Sequence, residues 1–443
     1  MKRLLLPFLS LVTLAACSKP QEGTGISIHE SEISKAQEDT SYYSYGVARL
    51  SVMTDGGQEV TSKESGGYVP CTVSLYGDDF YADRKGMTAR IRGRGNSTWY
   101  WYPKKPYRIK LDESSRMMGM KRNRDWVLLA DFRDVTHLMN NVAFTLAHEL
   151  GLPCANHSRY VNLRLNGRDM GLYMLTEQVE EGQHRVPLDS LQGILLALDL
   201  NDGPGENPGA TDNFWSGVFG TACAVKYPDV PDAAAVERVR SAYAALEGVI
   251  NRRDWDGIQR LLDVDSMIRY ILIQEIIGNG ELDNGQSMRS GYIHRHDPSS
   301  KWVMGPMWDA DSGFGYDASD MFNRNGRCHT FYADYRYLVF GTDPYHHVGA
   351  MGASASDLFC KLFGIPEFVV RLQACWEAER ERLLETVLSQ IDRTEEAIGA
   401  SAARDTGIWG IGFDHATEVA GLKTWLSQRF AYLDGVVKGY PVY

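Results

Sequence analysis

Asp309 and Asp311 stand two positions apart in Gly305-Pro306-Met307-Trp308-Asp309-Ala310-Asp311-Ser312-Gly313-Phe314-Gly315. Two carboxylates that follow an apolar strand and precede Gly-Phe-Gly can present hard oxygen ligands to Mg²⁺. That ion takes one or two protein carboxylates and completes its shell with phosphate and water. A second acidic segment, running from Gln274 to Asn284, leaves an apolar helix and carries Glu281 and Asp283. Carboxylates at a helix C-terminus oppose the macrodipole, so some other reason keeps them there; one of them can accept a proton from a substrate hydroxyl. A third carboxylate, Glu177, leaves the apolar run Gly171–Thr176 and can pair with a cation such as Lys110. The cations themselves gather in Arg90–Leu111. There the turn Gly93-Arg94-Gly95-Asn96-Ser97-Thr98 lies among Arg92, Arg94, Lys104, Lys105 and Lys110. Small residues with bare backbone N–H groups beside several cations suit a polyanion such as nucleotide phosphates. Taken singly, each signal has a plain alternative: an Asx-rich turn, a solvated loop, an exposed Glu, a basic hairpin with a local aromatic core.

The elements that must position these residues follow from periodicity. Tyr45–Met53, Tyr68–Leu75, Thr88–Arg94 and Lys105–Leu111 read as strands of an antiparallel N-terminal region of four or more strands. On the last of these, Tyr107, Ile109 and Leu111 share one face while Arg108 and Lys110 share the other. Asp125–Ala130 reads as a buried strand. Val135–Leu150 reads as a helix closed by Gly151 and Pro153. Tyr160–Leu165 and Gly171–Thr176 flank an Asn166-Gly167 hairpin turn, and Leu191–Asp199 is another strand. Asn201–Thr221 reads as a loop at a lobe boundary or a surface insertion. Helices are expected at Ala233–Asn251, Trp255–Asp263, Asp265–Ile277, Ile365–Leu388, Thr394–Ala402 and Asp414–Leu433, with short strands at Ser290–His296 and Lys301–Met307. The expectation is an α+β chain, β-rich over 41–200 and mainly helical over 201–443.

Composition bounds the function. The chain has 443 residues, 44% of them hydrophobic and 11% aromatic, which marks a folded protein. A net charge of −11 argues against a general nucleic-acid binder. The first residues carry an address. Met1-Lys2-Arg3 is basic, Leu4–Leu14 is apolar but too short to span a bilayer, and Leu14-Ala15-Ala16-Cys17 follows. This resembles a bacterial lipobox, which implies a signal peptide over 1–16 and lipid on Cys17. Several acyl chains would give stable anchoring to the cell envelope, with 18–40 as a polar tether. The six remaining cysteines (Cys71, Cys154, Cys223, Cys328, Cys360 and Cys375) show no CxxC and no zinc spacing. Neither a structural metal nor a dense disulfide framework is expected.

The order of the segments is more specific than any one of them. RGRGNSTW with KKPYRIKL, then DWVLLADFRDVTHLMNN, GLYMLTEQVEE, QEIIGNGELD and GPMWDADSGFG resemble the CotH kinase family, named for a spore-coat kinase. The resemblance covers about 45–430. It implies an atypical protein-kinase-like fold of two lobes, with a phosphate-binding hairpin in a β-rich N-lobe and Mg²⁺ ligands in a helical C-lobe. Carried over, it makes Lys110 the lysine on the nucleotide phosphates, with Arg94, Asn96 and Ser97 alongside and Glu177 as a partner. It makes Asp309 the metal ligand analogous to the Asp of a kinase Asp-Phe-Gly, helped by Asp311. Many members carry Asn-x-Asp after the helix. Here that register gives Asn279-Gly280-Glu281, so register favours Glu281 as the catalytic carboxylate and side-chain type favours Asp283.

Three functions are compatible with these residues. The first is a lipid-anchored kinase using ATP and Mg²⁺ to phosphorylate Ser or Thr of a partner protein. The second is a catalytically weakened kinase-like surface lipoprotein that holds a protein or an envelope glycan, with aromatics of Trp99–Tyr102 and Phe331–Tyr345 stacking on sugars. The third is a phosphoryl or nucleotidyl transferase acting on another acceptor.

Overall fold

The computed structural model describes residues 44–77, 79–280, 282, 288–315, 334–346 and 357–443. Seven strands, β1 (Val47–Thr54), β2 (Val69–Tyr76), β3 (Arg84–Gly93), β4 (Tyr107–Ser115), β5 (Asn123–Leu129), β6 (Ser158–Leu165) and β7 (Arg168–Glu177), close a barrel. Its order is β1-β2-β3-β4-β5-β7-β6. The N-terminal sheet is therefore not purely antiparallel. β1 and β6 pair parallel, with Val47 opposite Tyr160, and this pair closes the ring. Closure leaves no strand edge to template association. The interior follows from alternation: Leu50, Val52, Ile91, Ile109, Leu111, Trp126, Leu128, Leu163 and Tyr173 point inward and pack as one cluster.

A second sheet has the order β12-β11-β8-β10-β9. Its strands are β8 (Ile194–Leu198), β9 (Asn213–Trp215), β10 (Ala222–Tyr227), β11 (Gly291–Arg295) and β12 (Trp302–Met304). β8 precedes residue 201 and its four companions follow it. Two of them, β9 and β10, are strands that periodicity did not suggest, one inside the expected loop and one just after it.

The helices are α1 (Ser97–Trp101), α2 (Met139–Glu149), α3 (Ala233–Asn251), α4 (Trp255–Leu261), α5 (Val264–Ile277), α6 (Asp357–Phe363), α7 (Pro366–Trp409) and α8 (His415–Lys438). The chain is thus mixed α+β, β-rich toward the N-terminus and helical toward the C-terminus. α7 packs on β7, α2, α5 and α8, so the helices cover one side of the barrel. β7 shows why its sequence is apolar throughout. Tyr173 and Leu175 fill the barrel, whereas Leu172 and Met174 join the helical core. α7 also runs unbroken through 388–394, where two helices were expected. Gln390 and Thr394 are buried there and bind each other, Gln390 Nε2 donating to Thr394 Oγ1 at 3.1 Å and that hydroxyl donating to Gln390 O at 2.8 Å.

Candidate functional site

The turn between β3 and β4 owes its shape to two glycines. A Cβ on Gly93 would lie 2.3 Å from the Trp99 ring, so only glycine lets α1 fold back onto the barrel. Gly95 has φ +81°, a left-handed conformation that glycine adopts without strain. Between them the Arg94 N–H donates to Pro106 O at 3.2 Å, extending the β3–β4 ladder by one bond. The Arg94 side chain lies over the Trp308 ring, 5.3 Å from its centroid. Lys63 reaches in from the β1–β2 connection and donates to Asn96 Oδ1 at 2.8 Å. Arg92, Arg94, Asn96, Ser97 and Lys63 all line one wall of a cleft of about 230 Å³.

The opposite wall is acidic. It holds Asp131 from the β5–α2 loop, Asp199 and Asp202 from the end of β8, and Asp309 and Asp311 after β12. Asn140 on α2 ties these segments together. It accepts from the Ala310 N–H at 3.0 Å and donates to Asp131 Oδ1 at 3.4 Å. Ser290 does the same further along, donating through Oγ to Asp309 Oδ2 at 2.8 Å and through its N–H to Asp199 Oδ2 at 3.1 Å. The loop after Asp311 is pinned to the end of α5, where Phe314 N–H donates to Ile277 O and a Cβ on Gly313 would meet that same oxygen at 2.6 Å. Three residues of this wall hold positive φ without being glycine: Asp131 at 45°, Ser290 at 54° and Asp309 at 60°. Each such residue costs on the order of 1–2 kcal/mol, and such strain concentrates where geometry serves a ligand.

These carboxyls are electrostatically loaded. Burial, then the Asp309 charge, lifts Asp311 to about 6. Burial and Asp134 lift Asp131 to about 8, and its Oδ2 has no hydrogen-bond partner. Burial and Asp202 lift Asp199 to about 6. Asp309 and Asp311 together offer the carboxylate oxygens that a hard divalent cation takes when phosphate and water complete its shell. Among the described residues no group of three or more His, Cys, Asp or Glu side chains is arranged to hold a metal ion.

Beneath the cleft sits a buried ion pair. Lys104 and Asp405 are fully buried and 2.9 Å apart, with His137 Nε2 3.5 Å from the same carboxylate. Burial works against the Asp405 charge, yet Lys104 and His137 hold its carboxyl below the ordinary value. Asp405 also accepts the Leu172 N–H at 2.8 Å, so α7 is fastened to both β7 and the cleft floor.

The structure gathers Arg94, Asn96, Ser97, Asp309 and Asp311 around one cleft. Lys110 does not line it. It stands on the outer face of β4 and pairs with Asp125 at 3.3 Å. Glu177 does not pair with Lys110 either. It binds Arg185 at 2.6 Å and His157 at 3.2 Å in a second cavity of about 520 Å³ that also holds His148 and Cys154. Glu281, Asp283, Cys17 and Cys328 lie outside the described residues, as do Phe331 to Ala333. Of the aromatics, Trp99 and Tyr102 are buried, whereas Tyr100 is 63% exposed. Cys71, Cys154, Cys223 and Cys375 are free thiols, two of them buried, and Cys360 is buried as well. Sequence reasoning missed Asp131, Asp199, Asp202 and Lys63. The one available signal was the density of carboxylates in Asp131-Phe132-Arg133-Asp134 directly after an apolar strand.

A search of curated proteins finds no match. The family described as CotH kinase protein matches residues 91–433, from within β3 to within α8, while β1 and β2 complete the barrel outside the matched span. Arginines and paired aspartates meet across one cleft inside that span, and the chain belongs to the CotH kinase family.

Proposed function

We propose that the chain is a phosphotransferase of kinase-like, two-lobed build that moves the γ-phosphate of ATP to Ser or Thr of a partner protein. The observation that carries this reading is the opposition of Arg94 and Lys63 to Asp309 and Asp311 across the cleft. Phosphoryl transfer asks chiefly for positioning and charge stabilisation, and this cleft supplies both signs. Arg94 and Lys63 hold phosphate oxygens, with the Asn96–Ser97 backbone beside them. Arg94 suits this role because guanidinium stays charged even where burial lowers its pKa. Asp309 and Asp311 hold Mg²⁺, which when bound neutralises charge on the phosphates. Ser290 orients Asp309, and Asn140 keeps the Asp131 and Asp309 segments in register. Glu281 or Asp283 accepts the acceptor proton. The N-terminal reading completes the proposal: a signal peptide over 1–16, lipid on Cys17, a tether to 40, and residence at the bacterial envelope facing a protein or glycan acceptor.

The test is direct. Purified protein with Mg²⁺ and labelled ATP should transfer phosphate to itself or to an added acceptor, and Mg²⁺–ATP should raise its melting temperature. Asp309→Ala should cut transfer by about 10²–10³-fold. Unchanged transfer in that variant overturns the metal assignment. An upward thermal shift without any transfer favours the weakened, ligand-holding reading instead.

A further inference from the structure

Three arginines on one strand face lead out of the cleft. On β3, Ala89, Ile91 and Gly93 point into the barrel, so Arg90 and Arg92 point out, and Arg94 continues the row into the cleft. Their cross-strand neighbours on β4 are also cations: Arg90 faces Lys110 and Arg92 faces Arg108. Like charges directly opposite one another destabilise a sheet. The β4 pair is compensated, because Arg108 binds Asp125 at 2.6 Å and Glu180 at 3.4 Å, and Lys110 binds Asp125. The outer two arginines of the β3 row are not: among the described residues no ion pair holds Arg90 or Arg92, whereas Arg94 is favoured by the Asp309 carboxylate in the cleft. Arg92 spends Nη1 on the Lys63 and Gly93 carbonyls, and its Nε has no partner. Tyr68 orders the outer two, its ring 5.3 Å from the Arg90 guanidinium and 5.2 Å from that of Arg92. A chain with a net charge of −11 keeps two aromatic-stacked arginines without an ion pair, Arg90 and Arg92, in a row that runs to its candidate site.

We propose that this row is the docking track for the acceptor, and that the acceptor is an acidic polypeptide segment with Asp or Glu at alternate positions beside its hydroxyl residue. Residues two apart on β3 are about 6.6 Å apart, and the same spacing separates alternate side chains of an extended peptide laid along it. Guanidinium groups bind carboxylates through charge-assisted hydrogen bonds, as a fork at Arg90 and through Nη2 at Arg92, whose Nη1 is already engaged, so each step of the track can take one acidic side chain. Arg94 serves the phosphate end of the cleft, and Arg92 and Arg90 take the acceptor. This deepens the phosphotransferase reading and rests on it for the word acceptor, but the docking itself is measured without nucleotide.

The experiment uses the full chain and short fluorescent peptides in anisotropy titrations at low salt. One peptide carries Glu at alternate positions around Ser, a second carries Lys at those positions, and a third carries the same Glu residues in one block. The alternating acidic peptide should bind tightest, weaken as salt rises, and lose about three- to tenfold affinity in Arg90→Glu. Arg90 lies outside the cleft lining, so the Mg²⁺–ATP thermal shift of that variant should be unchanged. Equal binding of the acidic and basic peptides, no loss in Arg90→Glu, or Arg90-dependent binding to anionic lipid vesicles but not to the peptide overturns the docking track. Phosphate transfer that persists alongside such a result leaves the phosphotransferase reading standing. Acidic-peptide docking with no transfer under any condition removes that reading and keeps the track.

Discussion

The cleft and the second cavity treat their carboxylates in opposite ways. In the larger cavity Glu177 accepts from the His157 N–H at 2.8 Å, pairs with Arg185 at 2.6 Å and touches the His157 ring. Burial opposes its charge, yet His157 and Arg185 hold its carboxyl below the ordinary value. In the cleft Asp131 receives one long amide bond from Asn140, its other oxygen has no partner, and its carboxyl rises to about 8. Size does not separate the two places, since the cavity that holds Glu177 is the bigger. What separates them is the demand left on the carboxylates, even though Arg185 keeps Nε and Nη2 without partners. A carboxylate with its partners in place holds the fold together, and one without them is poised for a ligand.

The sharpest way to break this contrast is a pair of isosteric substitutions. Glu177→Gln leaves Arg185 buried without its counter-charge and should cost about 3–5 kcal/mol in denaturant titration, with the Mg²⁺–ATP shift intact. Asp131→Asn should go the other way. The folded carboxyl titrates near 8 and the unfolded one near 3.8, so wild-type stability falls as pH rises across that window. The gain from Asn therefore grows from pH 4 to 8 and is constant above. If Asp131→Asn loses as much as Glu177→Gln, the contrast collapses.

A smaller effect runs along the pH axis with the opposite sign. Burial pushes His148 and His294 down to about 4 from 6.5, with His157 adding to the effect on His148. The unfolded imidazoles take up protons first, so stability present above pH 6.5 is lost as pH falls toward 4. The expected loss is on the order of 1–3 kcal/mol per histidine, read as melting temperature against pH, and His148→Gln should flatten the slope. Smallest of all is Lys110→Ala. Its partly exposed pair with Asp125 contributes about 0.5 kcal/mol or less, and its place outside the cleft predicts an unchanged nucleotide shift. Arg94→Ala should reduce that shift, and the reverse result would restore Lys110 to the phosphates.

Much of the fold was legible because local pattern and burial coincide. α3 begins and ends where its amphipathic run does, and the Asn166-Gly167 turn forms with both residues at positive φ. α2 starts at Met139, four residues later than its apolar pattern. Asp134 Oδ2 accepts the Met139 N–H at 2.8 Å, and His137 sits at φ 56° before it. Alternation predicted that Lys110 and Arg108 share a face, but it could not say whether that face looks into the cleft or away from it. Barrel closure decides this, and closure depends on β1 meeting β6 across a long stretch of chain. The same limit hid Asp131 and Asp199, whose neighbours in the cleft come from distant segments. Nor does any local signal pair Lys104 with Asp405.

That last pair bears on which stretch of chain can be inherited or expressed as a working unit. Every motif with recognisable chemistry lies before residue 316, yet the counter-charge for Lys104 arrives from the far end of a 44-residue helix that begins at Pro366. A chain cut after the Asp309 loop would retain all its apparent catalytic vocabulary and take the Asp405 carboxylate from the buried Lys104 ammonium, a loss of up to about 3–5 kcal/mol against a typical reserve of about 5–15 kcal/mol. Modularity stops short here: α7 is not an appendage to the cleft but the source of a carboxylate in its floor.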